Sequence, residues 1–384
     1  MVKVAIIGAS YLQLPLIKKA REKGLETHVF AWECGDVGER EADFFYPIST
    51  VEKEAILDEC IRIGIDGICS ISSDVAVKTV NYVAEKMGLP GNSIISSELS
   101  TNKGRMKETF KEHGIPSSVF VVTDGDISDG IIRSIPLPLI VKPTDRSGSR
   151  AITRIDSYDD DIKSAVERAV SQSFEKKAIV EHFVCGREYS VECISFQGSH
   201  RLLSVTKKYT TGSPHYIERA HLEPSDVSPQ KEEEIRRIIF RALDALEVKN
   251  GASHSEIKID SDGNINVIEI GSRMGGDMIG SHLVLLSTGF DFVEAVLDVA
   301  LGNAPKDYEL LRRHAAIRFI TEDEDLKVYE RIRNEEPGIL AEYDTDSGDD
   351  GPVIDSSSRK GYYIIVSEDR EKIVKYLPDE DDIH

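Results

Sequence analysis

The alternation of apolar and polar positions is clearest at residues 251–277, GASHSEIKIDSDGNINVIEIGSRMGGD. His254–Asp260 alternates, DSDGN interrupts the run, and Ile265–Ile270 resumes it. Two period-two runs around an Asp-Gly step predict a β-hairpin with Asp262-Gly263 as a two-residue turn. That turn pairs Ser261 with Asn264, Lys258 with Val267, and Glu256 directly with Glu269. Carboxylates opposed across a strand pair, with Cβ atoms about 4.5–5.5 Å apart, repel each other. A hard divalent cation relieves that repulsion, and Mg²⁺ takes one or two carboxylates together with phosphate oxygens. The stretch ends in Arg273-Met-Gly-Gly276-Asp277, where an Arg fork suits a phosphate or carboxylate and the glycines admit a ligand close to backbone. The plainer alternative is a solvated hairpin with exposed acids, so the rest of the chain must decide.

Upstream, residues 2–7 read as a strand, Leu12–Lys23 as a helix and Thr27–Trp32 as a strand. Helix Lys53–Ile63, strand Gly67–Ser72 and helix Val75–Met87 continue the alternation. This is the opening of a doubly wound α/β sheet, and it bounds a first domain at 1–95. Gly8 lacks the second and third glycines of GxGxxG, which counts against a nicotinamide oxidoreductase.

Ser100 is expected to cap a helix running to His113, with Lys103 in its first turn. A cation gains nothing from the helix dipole there, so Lys103 points to a ligand or to solvent. Leu137–Lys142 is an apolar strand ending in lysine. The loop after it, residues 144–150, includes Ser147, Gly148 and Ser149 and is small, hydroxylic and basic. Such loops wrap phosphates with backbone N–H groups, although the P-loop pattern is absent. Strands Ala178–Phe183 and Glu188–Ser195 place Glu181 and Glu188 around a glycine turn, where they suit an adenine amine and ribose hydroxyls.

Residues 198–230 are expected as a long irregular excursion of the functional kind, with His215, Glu218 and His221 at three-residue spacing facing a substrate. A helix at 231–246 returns to the hairpin. Helices Met278–Leu286 and Val293–Leu301 follow, and residues 306–384 read as a small α+β tail.

Composition narrows the classes. At 384 residues, two or three domains are expected. A net charge of −21 argues against nucleic-acid or anionic-membrane partners, which need a basic footprint. No apolar run of spanning length and no signal peptide are evident. Five cysteines without CxxC spacing indicate neither a disulfide framework nor a zinc site, and a reducing cytoplasm is the expected setting.

Taken in order, Lys103, Lys142 with its loop, Glu181 through Glu188, and Glu256 with Glu269 resemble the ATP-grasp superfamily of carboxylate–amine ligases. The resemblance covers nearly the whole chain, and the tail SRKGYYIIV looks like that of the amino-acid-ligase and biotin-carboxylase-like branches. It implies an α/β fold with a Rossmann-like pre-ATP-grasp domain at 1–95, an ATP-grasp domain at 96–305 with a lid at about 115–190, and a C-terminal α+β domain at 306–384. It also implies ATP and Mg²⁺, with Mn²⁺ as a substitute.

In that family, Lys103 and Lys142 would bind phosphates, with Lys142 also near adenine. Glu181 would accept the adenine amine, backbone at Phe183 or Val184 would meet the ring edge, and Glu188 would hold the ribose. Ser147, Gly148 and Ser149 would close over the phosphates, and Glu256 and Glu269 would hold the metal. Arg273 and Lys142 would act on the reacting groups, and Arg273 would stabilise an acyl phosphate. His215, Glu218, His221, His254, Arg273 and Gly276 would face the substrate.

One departure stands out. Many members have Glu-x-Asn, where the Asn serves a second magnesium, and this chain has Glu269-Ile-Gly271. The implied reaction joins a small-molecule carboxylate to an amine with release of ADP and phosphate, in a homodimer by default. Alternatives are a phosphoribosylglycinamide-synthetase-like or biotin-carboxylase-like enzyme, or an ATP-binding regulator that has lost catalysis. His254 and the HYIERAH excursion favour the amino-acid-ligase branch.

Overall fold

The β-branched run at the start of the chain becomes the centre of a parallel sheet ordered Phe44–Tyr46, Glu26–Phe30, Lys3–Ile7, Gly67–Cys69. The strand Lys3–Ile7 is buried on both faces, as parallel strands are. Val4 and Ile6 pack with Leu16, Ile17 and the helix Phe292–Ala300. Ala5 and Ile7 pack with Ile56, Cys60 and Val83 on the other side. The computed structural model describes residues 1–146, 151–212, 216–345, 351 and 353–379.

A second sheet is antiparallel, ordered Phe120–Thr123, Ala178–His182, Leu139–Pro143, Thr153–Ile155. The helix Ile162–Gln172 covers it, placing Ala165, Val166 and Ala169 against Val141 and Val180.

The third sheet carries the site. Its eight strands run Ile265–Gly271, Gly251–Ile259, Arg187–Phe196, Ser199–Thr210, Glu218–Glu223, His314–Phe319, Tyr362–Ser367, Leu340–Asp344. Its last three strands come from the expected tail and extend this sheet, and Ala316 and Tyr363 share one core with Tyr209, Ala220 and Leu222.

Three local expectations are corrected. First, much of 198–230 forms two regular strands within the sheet rather than an irregular excursion. A register shift between Leu202 and Ser204 breaks the period. The Lys207-Lys208 pair also mimics a solvated loop. Lys207 is in fact buried against Asp226 at 2.7 Å, and Lys208 points to the opposite face among carboxylates.

Second, the helix expected from Ser100 is two helices, Ile94–Thr101 and Lys103–Glu112. Asn102 separates them and caps the second by accepting from the Arg105 N–H at 3.1 Å. Ser100 lies inside the first, with its hydroxyl bonded to Ser96 O at 2.8 Å.

Third, the hairpin turn is one residue longer than expected. Asp260 N–H donates to Asn264 O at 3.1 Å, Gly263 N–H donates to Asp260 O at 3.0 Å, and Gly263 has φ +83°. This is a three-residue loop ending in a left-handed glycine. Lys258 therefore pairs with Asn266 and Ile257 with Val267, until an irregularity beyond Ile257 restores Glu256 opposite Glu269. The extra residue explains how Val267 and Ile270, three apart, both enter one core.

All five cysteines are unpaired. Among the described residues no helix is long and apolar enough to cross a membrane.

The site-facing side of the central sheet is buried yet polar. Glu223 is fully buried, accepting hydrogen bonds from Ser287 Oγ and Thr206 Oγ1, each at 2.8 Å. Burial pushes its carboxyl up to about 7, although the two hydroxyls act in the opposite direction. An acid whose folded pKa is raised loses stability as pH rises from its unfolded value through its folded one. Glu223→Gln is therefore expected to leave Tm little changed at pH 5 and to raise stability at pH 8 by on the order of 1–3 kcal/mol. Thermal melts of the two proteins between those pH values check this.

Candidate active site

The restored hairpin register sets Glu256 opposite Glu269, and each carboxylate meets a lysine from another segment. Lys103 Nζ donates to Glu269 Oε1 at 3.0 Å and to Arg146 O at 2.9 Å. The helix break at Asn102 makes this possible. As the first residue of its helix, Lys103 is pinned by its own N–H to Thr144 O at 2.7 Å. Lys208 Nζ lies 3.0 Å from Glu256, 2.7 Å from Glu188 and 3.7 Å from Glu218. Burial lowers the Lys208 pKa, but the three carboxylates outweigh it and raise it well above its ordinary value. Lys208 holds Glu256 well below the usual carboxylate range.

Next to this pair, His254 reaches across to the adjacent strand. Its Nδ1 bonds Glu192, and its Nε2 is 3.7 Å from Glu256 Oε1. Burial lowers the His254 pKa, while the Glu192 charge and the hydrogen bonds to Glu192 and Glu256 carry it up to about 9. The other Glu192 oxygen accepts from Gly275 N–H at 3.1 Å, tying the loop after the hairpin to the sheet.

Under the second sheet, Lys142 and Lys107 converge on Glu181. Lys142 Nζ is 2.6 Å and Lys107 Nζ 3.2 Å from its carboxylate, and Ser118 Oγ donates at 2.5 Å. Burial alone would raise the Glu181 pKa, yet the two ammonium groups hold it far below the usual range. Glu181 is 4 % exposed and serves the two lysines in this arrangement. Phe183 N–H donates to Pro138 O at 2.7 Å, and its ring lies under Arg154 and Lys258, with Val184 next in the chain.

Arg273 is held by Asp74 of the first domain through two hydrogen bonds, at 2.7 and 3.1 Å. Beyond Gly276, Asp277 pairs with Arg359 from the tail, and one of those bonds is 2.9 Å. His221 Nε2 is 3.5 Å from Asp277, fully buried, and Glu218 accepts from Ser356 Oγ at 2.6 Å. The geometry thus gathers Lys103, Glu188, Glu218, Glu256, Glu269 and His254 around one sheet face, with Arg273 and Gly276 on the adjoining loop. Ser147, Gly148, Ser149 and His215 lie outside the described residues.

Sequence reasoning missed Lys107, Lys208, Glu192, Asp74, Asp277 and Arg359. Only the doubled lysine in a run of strand-forming residues gave a signal. The others act through partners that are far away in the chain.

Two opposed carboxylates suit a hard cation completed by phosphate oxygens. Among the described residues no cluster of three or more His, Cys, Asp or Glu could hold a metal by itself. The donor set therefore fits Mg²⁺ arriving with a nucleotide.

Lys208 neutralises three acids, so removing it leaves buried negative charge uncompensated. Lys208→Met is expected to cost about 3–5 kcal/mol at pH 7 and less at pH 4.5, where the carboxylates protonate. Urea denaturation at both pH values tests this.

Residues 135–281 match the ATP-grasp domain family. D-alanine–D-alanine ligase of Haemophilus influenzae (strain PittEE) is 26% identical over 212 residues, 51% of this chain and 68% of that one. Alanine–anticapsin ligase of Bacillus subtilis (strain 168) is 26% identical over 297 residues, 67% of this chain and 61% of that one. Among solved structures, L-amino acid ligase from Bacillus licheniformis superposes with TM-score 0.80 at 23% identity, covering 98% of this chain and 96% of the other. Phosphoribosylglycinamide synthetase from Anaerococcus prevotii gives 0.75 at 19%, covering 97% and 96%. At these identities the superpositions establish the fold.

Proposed function

We propose that this chain, which carries an ATP-grasp domain, is an ADP-forming ligase that joins a small-molecule carboxylate to an amine. The observation that carries the reading is the Glu256–Glu269 pair, set beside Lys103 and within the same buried electrostatic network as Lys142 and Glu181. Amino-acid ligation is favoured over the ribonucleotide and carboxylase alternatives. The named sequence relatives join amino acids, and His254, His221, Glu218 and Asp277 give the sheet face donors and acceptors for an ammonium and a carboxylate.

In this reading a substrate carboxylate oxygen attacks the γ-phosphorus of ATP, the bond to the β-γ bridging oxygen breaks, and ADP leaves. The amine then attacks the acyl carbon, inorganic phosphate departs, and the amine proton passes to solvent or a nearby base. Lys103 and Lys142 neutralise phosphate charge, with Glu181 orienting Lys142. Glu188 receives the ribose, and Arg273 meets charge developing on the transferred phosphoryl group. Glu256 and Glu269 would hold Mg²⁺, which supplies charge neutralisation across the phosphates. The second sheet excludes water from the acyl phosphate. Small-molecule substrates, a cytoplasmic setting and a homodimer complete the proposal.

The test is ADP and phosphate release from ATP and Mg²⁺ with an amino-acid mixture. ADP with phosphate, dependent on the mixture, is expected; AMP with pyrophosphate would overturn the mechanism. Glu269→Gln keeps the shape but loses a metal-binding charge, and is expected to lower turnover by at least about a thousandfold. Full activity in that variant would refute the metal assignment.

A further inference from the structure

We propose that Asp74, from the first domain, is the positioning residue for Arg273, and that Gly271 is glycine in order to admit its carboxylate. The inference rests on the ligase reading of the site. Asp74 opens the helix Asp74–Met87, and its two oxygens accept separately from Arg273 Nε at 2.7 Å and Nη2 at 3.1 Å. Two parallel bonds fix the plane of a guanidinium as well as its place. A third bond runs from Nη1 to Met274 O at 3.1 Å. Of the five N–H donors of an arginine, one on each terminal nitrogen is thus left without a protein partner among the described residues. A guanidinium clamped on one edge and open on the other is set to receive an anion.

Gly271 gives the independent observation. Its backbone is not left-handed, so nothing in its torsion angles demands glycine. The demand is for space. A Cβ there would come 2.9 Å from Asp74 Oδ1, 3.4 Å from Arg273 Nε and 3.5 Å from Arg273 Cζ. A side chain at 271 would force the Asp74 carboxylate, the Arg273 guanidinium or both to shift from this fit. The missing side chain at the end of the metal-binding strand is therefore a fitted gap, filled by a carboxylate from another domain. Ser72, two residues before Asp74, ties the same segment to the loop that follows Arg273. Its N–H donates to Met274 O and its Oγ to Gly275 O, each at 3.1 Å, from a left-handed conformation with φ +59°.

A simple domain fastener would also bind Arg273, so the test must separate positioning from fastening. Asp74→Asn is nearly isosteric but replaces one acceptor with a donor facing an N–H of the guanidinium. Displacing a reacting group by about an ångström costs on the order of a hundredfold in rate. With the full chain, ATP, Mg²⁺ and the amino-acid mixture, Asp74→Asn is expected to lower kcat by about a hundredfold. KM for ATP should stay within about twofold, because the lysines hold the nucleotide.

Gly271→Ala should reproduce the loss while leaving both partners in place. The double variant should be no worse than Asp74→Asn alone, since the two changes disable one contact. Losses that multiply, or a Gly271→Ala protein with wild-type kcat, would overturn the proposal even if Asp74→Asn folds poorly. Wild-type turnover with Asp74→Asn unimpaired would sink this inference alone. A wild-type chain that turns over no substrate would sink it together with the ligase reading.

Discussion

Two carboxylates held face to face by main-chain pairing are the constraint around which the rest of this site is arranged. Glu256 and Glu269 are held opposite each other by the pairing beyond the irregularity, and their strand neighbours Ile257 and Ile270 anchor both strands in the core. Their repulsion must therefore be answered from outside the hairpin. Lys103 answers it from a helix N-terminus and Lys208 from two strands away, so each lysine is placed by a different part of the fold. Arg273 is answered in turn by Asp74, and Asp277 by Arg359. The result is a layer of alternating charge in which nearly every group has a partner from a distant segment.

That arrangement ties segments far apart in the chain to one another. The loop from Gly271 to Met278 is gripped by Ser72 and Asp74 of the first domain, by Glu192 of the central sheet, and by Arg359 of the tail. Asp277 and Met278 adopt successive left-handed conformations, with φ +50° and +60°. Backbone of that kind in non-glycine residues persists only where its surroundings over-determine it. Here the Arg359 fork and the sheet do so. A loop held at three points fixes Arg273 with little freedom to reorganise, and preorganisation of that kind is what the proposed role of Arg273 calls for.

How far the sequence disclosed this depended on whether each partner was local. The opposition of Glu256 and Glu269 was legible because period and turn lie within one short stretch. Two one-residue errors also offset each other, since the turn is longer than expected and the irregularity beyond Ile257 absorbs the difference. The first-domain alternation was legible for the same reason. The strands Ser199–Thr210 and Glu218–Glu223 were not. Their polar residues face the buried, charged side of the sheet, and a rule that reads polar as outward misplaces Thr206, Lys208, His221 and Glu223. Asp74 was invisible because one acid at a helix start is ordinary until Arg273 is seen beside it.

The same logic explains why a strongly acidic chain can serve a polyanionic nucleotide. The net charge of −21 describes the whole surface, whereas the ligand meets a local field. Lys103, Lys107, Lys142, Lys208 and Arg273 are all largely buried, each within reach of an acid. In low dielectric burial disfavours an ammonium, and it lowers the Lys107 pKa despite the opposing charge of Glu181. At Lys142 and Lys208 the neighbouring acids outweigh that penalty and raise the pKa. Glu181 is the clearest instance: its charge raises the Lys142 pKa against burial, which favours an ammonium at the end of an apolar strand. The abundance of carboxylates around the site is, on this view, a condition for binding ATP rather than an obstacle to it.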